Sequence, residues 1–271
     1  MDNLKRLKLY LLDMDGTIYL DNDLFDGTAG FLEYVKSMGG RYIFLTNNSS
    51  KSVSKYVEKL NKMGITADRK VFLTSTDAAL VYLKKHEYKK IYAFGTESFK
   101  EQLRASGLNI TDELSEEIDC LCMGYDTELT YKKLEDACIL LNRDIAYIAT
   151  NPDTVCPTWY GYAPDCGSVS EMLFRATGKK PEFTGKPNPE MARLAMELAG
   201  FGKSETAIVG DRIYTDIACG ANAGISTIFV LSGEGTQNDV EKYGVKPNYI
   251  FKDIKELYNT LVGLLPTDGG G

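Results

Sequence analysis

Two pairs of carboxylates stand out by their spacing: Asp13 and Asp15 flank one residue, while Asp211 and Asp216 are five positions apart. Each pair follows an apolar run, Leu9-Tyr10-Leu11-Leu12 before the first and Ala207-Ile208-Val209-Gly210 before the second. Runs of this kind belong to strands buried on both faces. Gly16 and Thr17 come next after the first pair, so these carboxylates are expected just past a strand's carboxyl end. Ligands of open α/β sheets bind at that edge. Converging carboxylate oxygens suit Mg²⁺, which takes few protein groups and keeps positions for water and phosphate. Without a cation such a cluster is costly, because like charges disfavour one another. Taken alone, an arbitrary Asp-x-Asp-Gly is better read as a solvated acidic turn. A calcium loop is a poor match: the Gly follows the second Asp directly, a strand leads in, and no Glu stands at the required place.

Groups able to hold an anion appear at two further places. Thr46 and Asn47 end the apolar run Tyr42-Ile43-Phe44-Leu45 and open the polar stretch Asn48-Ser49-Ser50. Donors at a strand end, ahead of a helix N-terminus, suit an anion, although simple N-capping uses the same residues. Lys186 stands in Thr184-Gly185-Lys186-Pro187-Asn188-Pro189-Glu190, a rigid turn expected to open a helix running to about residue 198. This is not a P-loop, since Pro187 occupies the Ser/Thr position and Gly178 is at the wrong distance. A point charge at Lys186 with donors at Thr46 fits a phosphoryl group.

The elements that must position these groups alternate strand and helix, the pattern of an α/β fold with a largely parallel sheet. Helices are expected over residues 30–38, stopped by Gly39-Gly40, and over 53–63, with further strands at 71–73, 207–210, 227–230 and 249–251. From about Thr76 to Gly178 the alternation repeats, with strands at 91–94, 121–123 and 145–149 and helices near 99–106 and 134–141. That block is the size of a small domain in its own right. Its last strand ends in Thr150-Asn151-Pro152-Asp153, and a loop rich in aromatics, Gly and Pro follows over 157–167, including Trp159 and Tyr160. Such loops are either functional or packed on themselves. The final Thr-Asp-Gly-Gly-Gly reads as an unstructured end.

The order of these features along the chain resembles the haloacid dehalogenase-like superfamily. Asp13 to Thr17 matches its Asp-x-Asp-Gly-Thr motif, Thr46 its second motif, Lys186 its lysine, and Gly210, Asp211 and Asp216 its Gly-Asp-x4-Asp pattern. Thr46-Asn47-Asn48, Gly185-Lys186-Pro187 and Ala221-Asn222-Ala223-Gly224 look closer to its NagD-like, p-nitrophenylphosphatase branch (subclass IIA). The resemblance implies a Rossmann-like three-layer core with a parallel sheet, formed by residues 1–76 and 179–271, and an inserted α/β cap of the C2 type over 77–178. It further implies a Mg²⁺-dependent phosphatase of small phosphomonoesters, of the p-nitrophenyl phosphate, sugar phosphate or nucleotide kind, working through an aspartyl-phosphate. In that scheme Asp13 is the nucleophile and Asp15 the general acid and base. Asp13, Asp211 and the backbone carbonyl of Asp15 hold the metal, and Asp216 supports it. Thr46, the Asn47 N–H and Lys186 bind phosphate oxygens. Asn151 and Asp153 are the cap's candidates for touching the leaving group, together with the loop from Trp159 to Ser168. Caps of this type serve some relatives as dimer surfaces, so a homodimer is among the expectations.

Other chemistries fit less well. The single histidine, His86, lies in a Lys-rich helical stretch, which argues against a histidine phosphatase. Cys138 to Arg143 falls one residue short of Cys-x5-Arg. A dehalogenase would lack the second Asp of the first motif, whereas a phosphotransferase or mutase would share every core residue. A non-catalytic relative would be expected to have lost Asp13 or Asp15. The net charge of −7 argues against a nucleic-acid surface. No apolar run approaches a membrane span, and the first residues hold too short an apolar stretch for a signal peptide. Six cysteines without zinc spacing fit reduced thiols used in packing, and with them a cytoplasmic location.

Overall fold

The first apolar run forms β1 (Leu9–Leu12), with all four side chains buried. The computed structural model describes residues 3–158 and 160–264, so Trp159 and the glycine-rich end lie outside the described residues. Packing divides the chain into two units. One takes the residues up to Leu45, Val57–Phe72 and those from Ala192 on; the other takes Thr46–Tyr56 and Leu73–Met191.

After β1 the chain makes a small hairpin of β2 (Tyr19–Leu20) and β3 (Asp23–Leu24). It continues through α1 (Thr28–Ser37), β4 (Arg41–Thr46), α2 (Val53–Lys62) and β5 (Phe72–Thr74). The hairpin was not expected, because two-residue strands carry too little periodicity to register in a sequence.

The second unit then builds its own parallel sheet. Its elements are α3 (Ser75–His86), β6 (Ile91–Phe94), α4 (Glu97–Ala105), β7 (Ile110–Thr111), β8 (Cys120–Met123), α5 (Tyr131–Leu141) and β9 (Ala146–Ala149). There follow β10 (Val155–Thr158), β11 (Gly161–Pro164), α6 (Cys166–Thr177), β12 (Glu182–Phe183) and α7 (Glu190–Ala199). The strand order is β12-β9-β8-β6-β7. Strand periodicity sorts its side chains onto two cores. Ile91, Ala93, Cys120, Cys122 and Ile148 pack with Leu83 of α3 and Phe99 and Leu103 of α4. Tyr92, Phe94, Leu121, Met123, Tyr147 and Ala149 pack with Leu140 of α5 and Leu173 of α6. The result is three layers, with helices on both faces of a parallel sheet.

Three expectations change here. The stretch read as an irregular loop over 157–167 is largely an antiparallel hairpin, β10 with β11. α6 begins at Cys166, capped by the Asp165 carboxylate; Gly167 and Ser168 in its first turn resemble loop residues and hide it. The helix after Lys186 begins only at Glu190, because a turn closed by Asn188 N–H to Gly185 O comes first.

Returning to the first unit, the chain adds β13 (Thr206–Gly210), α8 (Ala218–Ala223), β14 (Ser226–Val230), α9 (Gln237–Tyr243), β15 (Tyr249–Phe251) and α10 (Ile254–Gly263). The strand order is β15-β14-β13-β1-β4-β5, parallel at each pairing from β15 to β4. Sequence order runs outward from β1 in both directions, so β1 marks the switch point where such sheets bind ligands at their carboxyl ends. The α/β class and parallel sheet are those expected from the alternation. Among the described residues no helix is long and apolar enough to cross a membrane.

Candidate active site

Strand register brings the two carboxylate pairs together. β1 and β13 run parallel with Leu12 opposite Val209, and the Asp13 N–H continues the ladder to the Val209 carbonyl at 2.9 Å. Asp13 and Asp211 therefore leave adjacent strands at the same edge. Asp216 returns to this edge through a wide turn over Ile213–Ile217, in which the Ile217 N–H reaches back to the Arg212 carbonyl. π-type turns of this kind cluster at functional sites. Carboxylate oxygens of Asp13, Asp211 and Asp216 lie within 4.8 Å of one another. Asp211 and Asp216 are buried, at 1% and 0% exposure, and Asp13 is partly so. Such a set, oxygen only and mutually repulsive, fits a hard divalent cation such as Mg²⁺.

Backbone fixes these groups. The Glu234 N–H donates to Asp211 Oδ2 at 2.8 Å, and the Arg212 N–H to Asp216 Oδ2 at 3.1 Å. Arg212 is in turn paired with Glu234 at 2.9 Å. Gly16, at φ +84°, adopts a left-handed conformation, and a Cβ there would stand 2.6 Å from Asp211 Oδ2. Gly233 approaches the same carboxylate so closely that a Cβ would occupy its space. The Ser232 hydroxyl donates to the Gly16 carbonyl at 2.7 Å, tying this loop to the first motif. Sequence reading passed over Ser232-Gly233-Glu234-Gly235, although glycines on either side of an acid after a strand were the available signal.

Asp15 is not one of the converging carboxylates. Its side chain is about half exposed (57%) and faces Lys59 of α2 at 3.8 Å. The Tyr19 hydroxyl, from β2, donates to its other oxygen at 3.4 Å.

The expected phosphate-binding residues gather in the second unit. Thr46 is buried, and its hydroxyl accepts the Asn48 N–H at 3.1 Å. The Asn48 side chain accepts the Ser50 N–H at 3.0 Å, so this polar stretch folds on itself as well as leading to α2. Asn47 links its neighbours through every side-chain atom able to bond. Its Nδ2 donates to Asp153 Oδ2 at 3.1 Å and to the Lys186 carbonyl at 2.9 Å, while its Oδ1 accepts the Lys186 N–H at 2.8 Å. The Asn47 carbonyl accepts from Ser75 Oγ at 2.6 Å and Asn151 Nδ2 at 2.9 Å. Ser49 adds a bond to Thr150 Oγ1 and accepts the Tyr125 N–H. Asn151, Asp153 and Lys186 are 0%, 4% and 2% exposed. Asn47, Asn151, Asp153 and Lys186 thus form one buried hydrogen-bonded assembly, in which Ser75 was unforeseen, while Thr46 bonds within its own loop. A hydroxyl at the start of a helix gives no sequence sign that it bonds a loop 28 residues away.

The cysteines are free and four of the six are buried. Burial pushes the Cys166 thiol up to about 12, which keeps it protonated and inert.

Known proteins are similar to this chain along most of its length. A family model described as haloacid dehalogenase-like hydrolase matches residues 10–109, and a second, HAD-hydrolase-like, matches 183–257. An acid sugar phosphatase of Staphylococcus aureus is 36% identical over 93% of this chain and 97% of its own. The crystal structure of a 4-nitrophenylphosphatase from Thermotoga maritima superposes with a TM-score of 0.90 at 41% identity, covering 96% of this chain and 99% of that one. NagD from Escherichia coli superposes at 0.84 with 30% identity, over 92% and 98% of the two chains.

Proposed function

The chain belongs to the haloacid dehalogenase-like hydrolases, as a NagD-like phosphoric monoester hydrolase acting on small phosphorylated substrates, and from that premise we propose a Mg²⁺-dependent mechanism through an aspartyl-phosphate on Asp13. The observation that carries the proposal is the convergence of Asp13, Asp211 and Asp216 within 4.8 Å, two of them buried. Asp13, Asp211 and the Asp15 carbonyl would hold the metal, with Asp216 in support. When bound, Mg²⁺ neutralises charge on the phosphoryl group and on these carboxylates.

Asp13 attacks phosphorus, an Asp13 O–P bond forms, and the ester P–O bond breaks. Asp15 gives its proton to the departing oxygen. In the second step water attacks phosphorus, its proton passes to Asp15, and the acyl-phosphate bond breaks to release inorganic phosphate and free Asp13. Thr46 Oγ1, the Asn47 N–H and Lys186 bind phosphate oxygens; Lys186 opposes the repulsion between carboxylate and dianion. The Asn47 side chain is committed to bracing Lys186, so its backbone serves the substrate.

Substrates of the sugar phosphate type are the favoured class, in keeping with the acid sugar phosphatase relative. Release of inorganic phosphate from p-nitrophenyl phosphate should require Mg²⁺ and stop with EDTA. Undiminished turnover by thoroughly chelated enzyme would refute the metal's role.

A further inference from the structure

Asp15 is proposed to carry protons in both steps, yet its side chain is about half exposed and outside the carboxylate cluster. An exposed aspartate samples several rotamers, and a proton carrier loses rate in each one that points away from the leaving oxygen. Two groups act against that freedom. Lys59 Nζ lies 3.8 Å from Asp15 Oδ1, and the Tyr19 hydroxyl is 3.4 Å from Oδ2. Each oxygen thus has its own neighbour, which restrains rotation of the carboxylate as well as its direction. Lys59 is itself placed: its Nζ stands 3.7 Å from the centroid of the Tyr19 ring, a cation–π contact, and Tyr19 is fully buried. A rigid ring thereby supports the lysine that supports the acid.

We infer that Lys59, seated on the Tyr19 ring, is a positioning residue that holds the Asp15 carboxylate in place for proton transfer to the leaving group. The inference rests on the general-acid reading of Asp15. A partly exposed ion pair adds little to folding. Its value therefore shows in the rate of esters that need a proton, not in the melting temperature.

The test compares kcat/KM, which reports only the steps up to departure of the leaving group, for glycerol 2-phosphate and for p-nitrophenyl phosphate, whose leaving group needs no proton, in Lys59→Met, Lys59→Arg, Tyr19→Phe and Asp15→Asn. Lys59→Met should lower kcat/KM on the alkyl ester about tenfold and at least five times more than on the aryl ester, with the affinity for inorganic phosphate little changed. Lys59→Arg should recover most of that loss, and Tyr19→Phe should show the same ester dependence to a smaller degree. In an Asp15→Asn background, Lys59→Met should cost nothing further, because the group it positions is gone. An equal loss on both esters, or the same loss with and without Asp15, would overturn the inference by making Lys59 a phosphate, metal or folding residue. Failure of the parent reading looks different: Asp15→Asn alone would then slow both esters equally.

Discussion

Asp211 shows how a single residue joins structure to chemistry. Its carboxylate is buried, takes a hydrogen bond from the Glu234 N–H, and sits under Gly16 and Gly233, which have no Cβ to exclude it. Burial of this kind beside Asp13 and Asp216 favours any cation that bridges them. Mg²⁺ at about a hundredfold excess over Kd should raise the melting temperature of the native protein by about 5–10 °C. Asp211→Asn should lose most of that rise while remaining folded. A full Mg²⁺-induced shift in the variant, read by calorimetry without any substrate, would remove Asp211 from the metal site. At this scale the sequence was informative because the chemistry requires particular residue types at short spacings. The buried assembly around Asn47 was less so: Ser75, Asn151 and Asp153 meet it only after the chain folds, and no local spacing foretells those bonds.

Among the elements, the long buried strands were legible and the short or irregular ones were not. β1, β4, β6 and β13 read as continuous apolar runs because helices cover both faces of a parallel sheet. The turn over Ile213–Ile217, which returns Asp216 to the site, has no such signature, and neither does the two-residue hairpin carrying Tyr19. α6 was hidden by small residues in its first turn. The cysteines of β8 follow the strand alternation, and the two odd-faced neighbours of Cys120 and Cys122 point to the other core. Cys120, Cys122, Cys166 and Cys219 are buried, whereas Cys138 and Cys156 are partly accessible. Thiol titration of the folded protein should therefore label Cys138 and Cys156 first, and the other four only on unfolding. Rapid labelling of Cys120 or Cys166, located by peptide mass spectrometry, would contradict this packing.

Over the whole molecule, each unit has its own parallel sheet. Packing groups Thr46–Tyr56 and Lys186 with the unit that contains β6 to β12, while Asp13, Asp211 and Asp216 belong to the other. We propose that residues 77–178 are the inserted cap, with 1–76 and 179–271 the catalytic core. On that proposal Asn151 and Asp153 govern the leaving group from the cap. Asp153 also holds Asn47 Nδ2, so Asp153→Ala should slow every ester somewhat, through loosening of the phosphate loop, and should in addition reorder their ranking. A uniform slowing across a broad ester panel, with no change of order, would leave Asp153 a brace for Asn47 and place selectivity elsewhere. The central claim is that Asp13 carries the phosphoryl group, and the most direct measurement is acid quench during steady turnover, borohydride trapping and peptide mass spectrometry. The account predicts homoserine at position 13 in the native protein, formed by reduction of the acyl phosphate, and none in Asp13→Asn. Trapped phosphate on any other residue, or full turnover by Asp13→Asn, would contradict it.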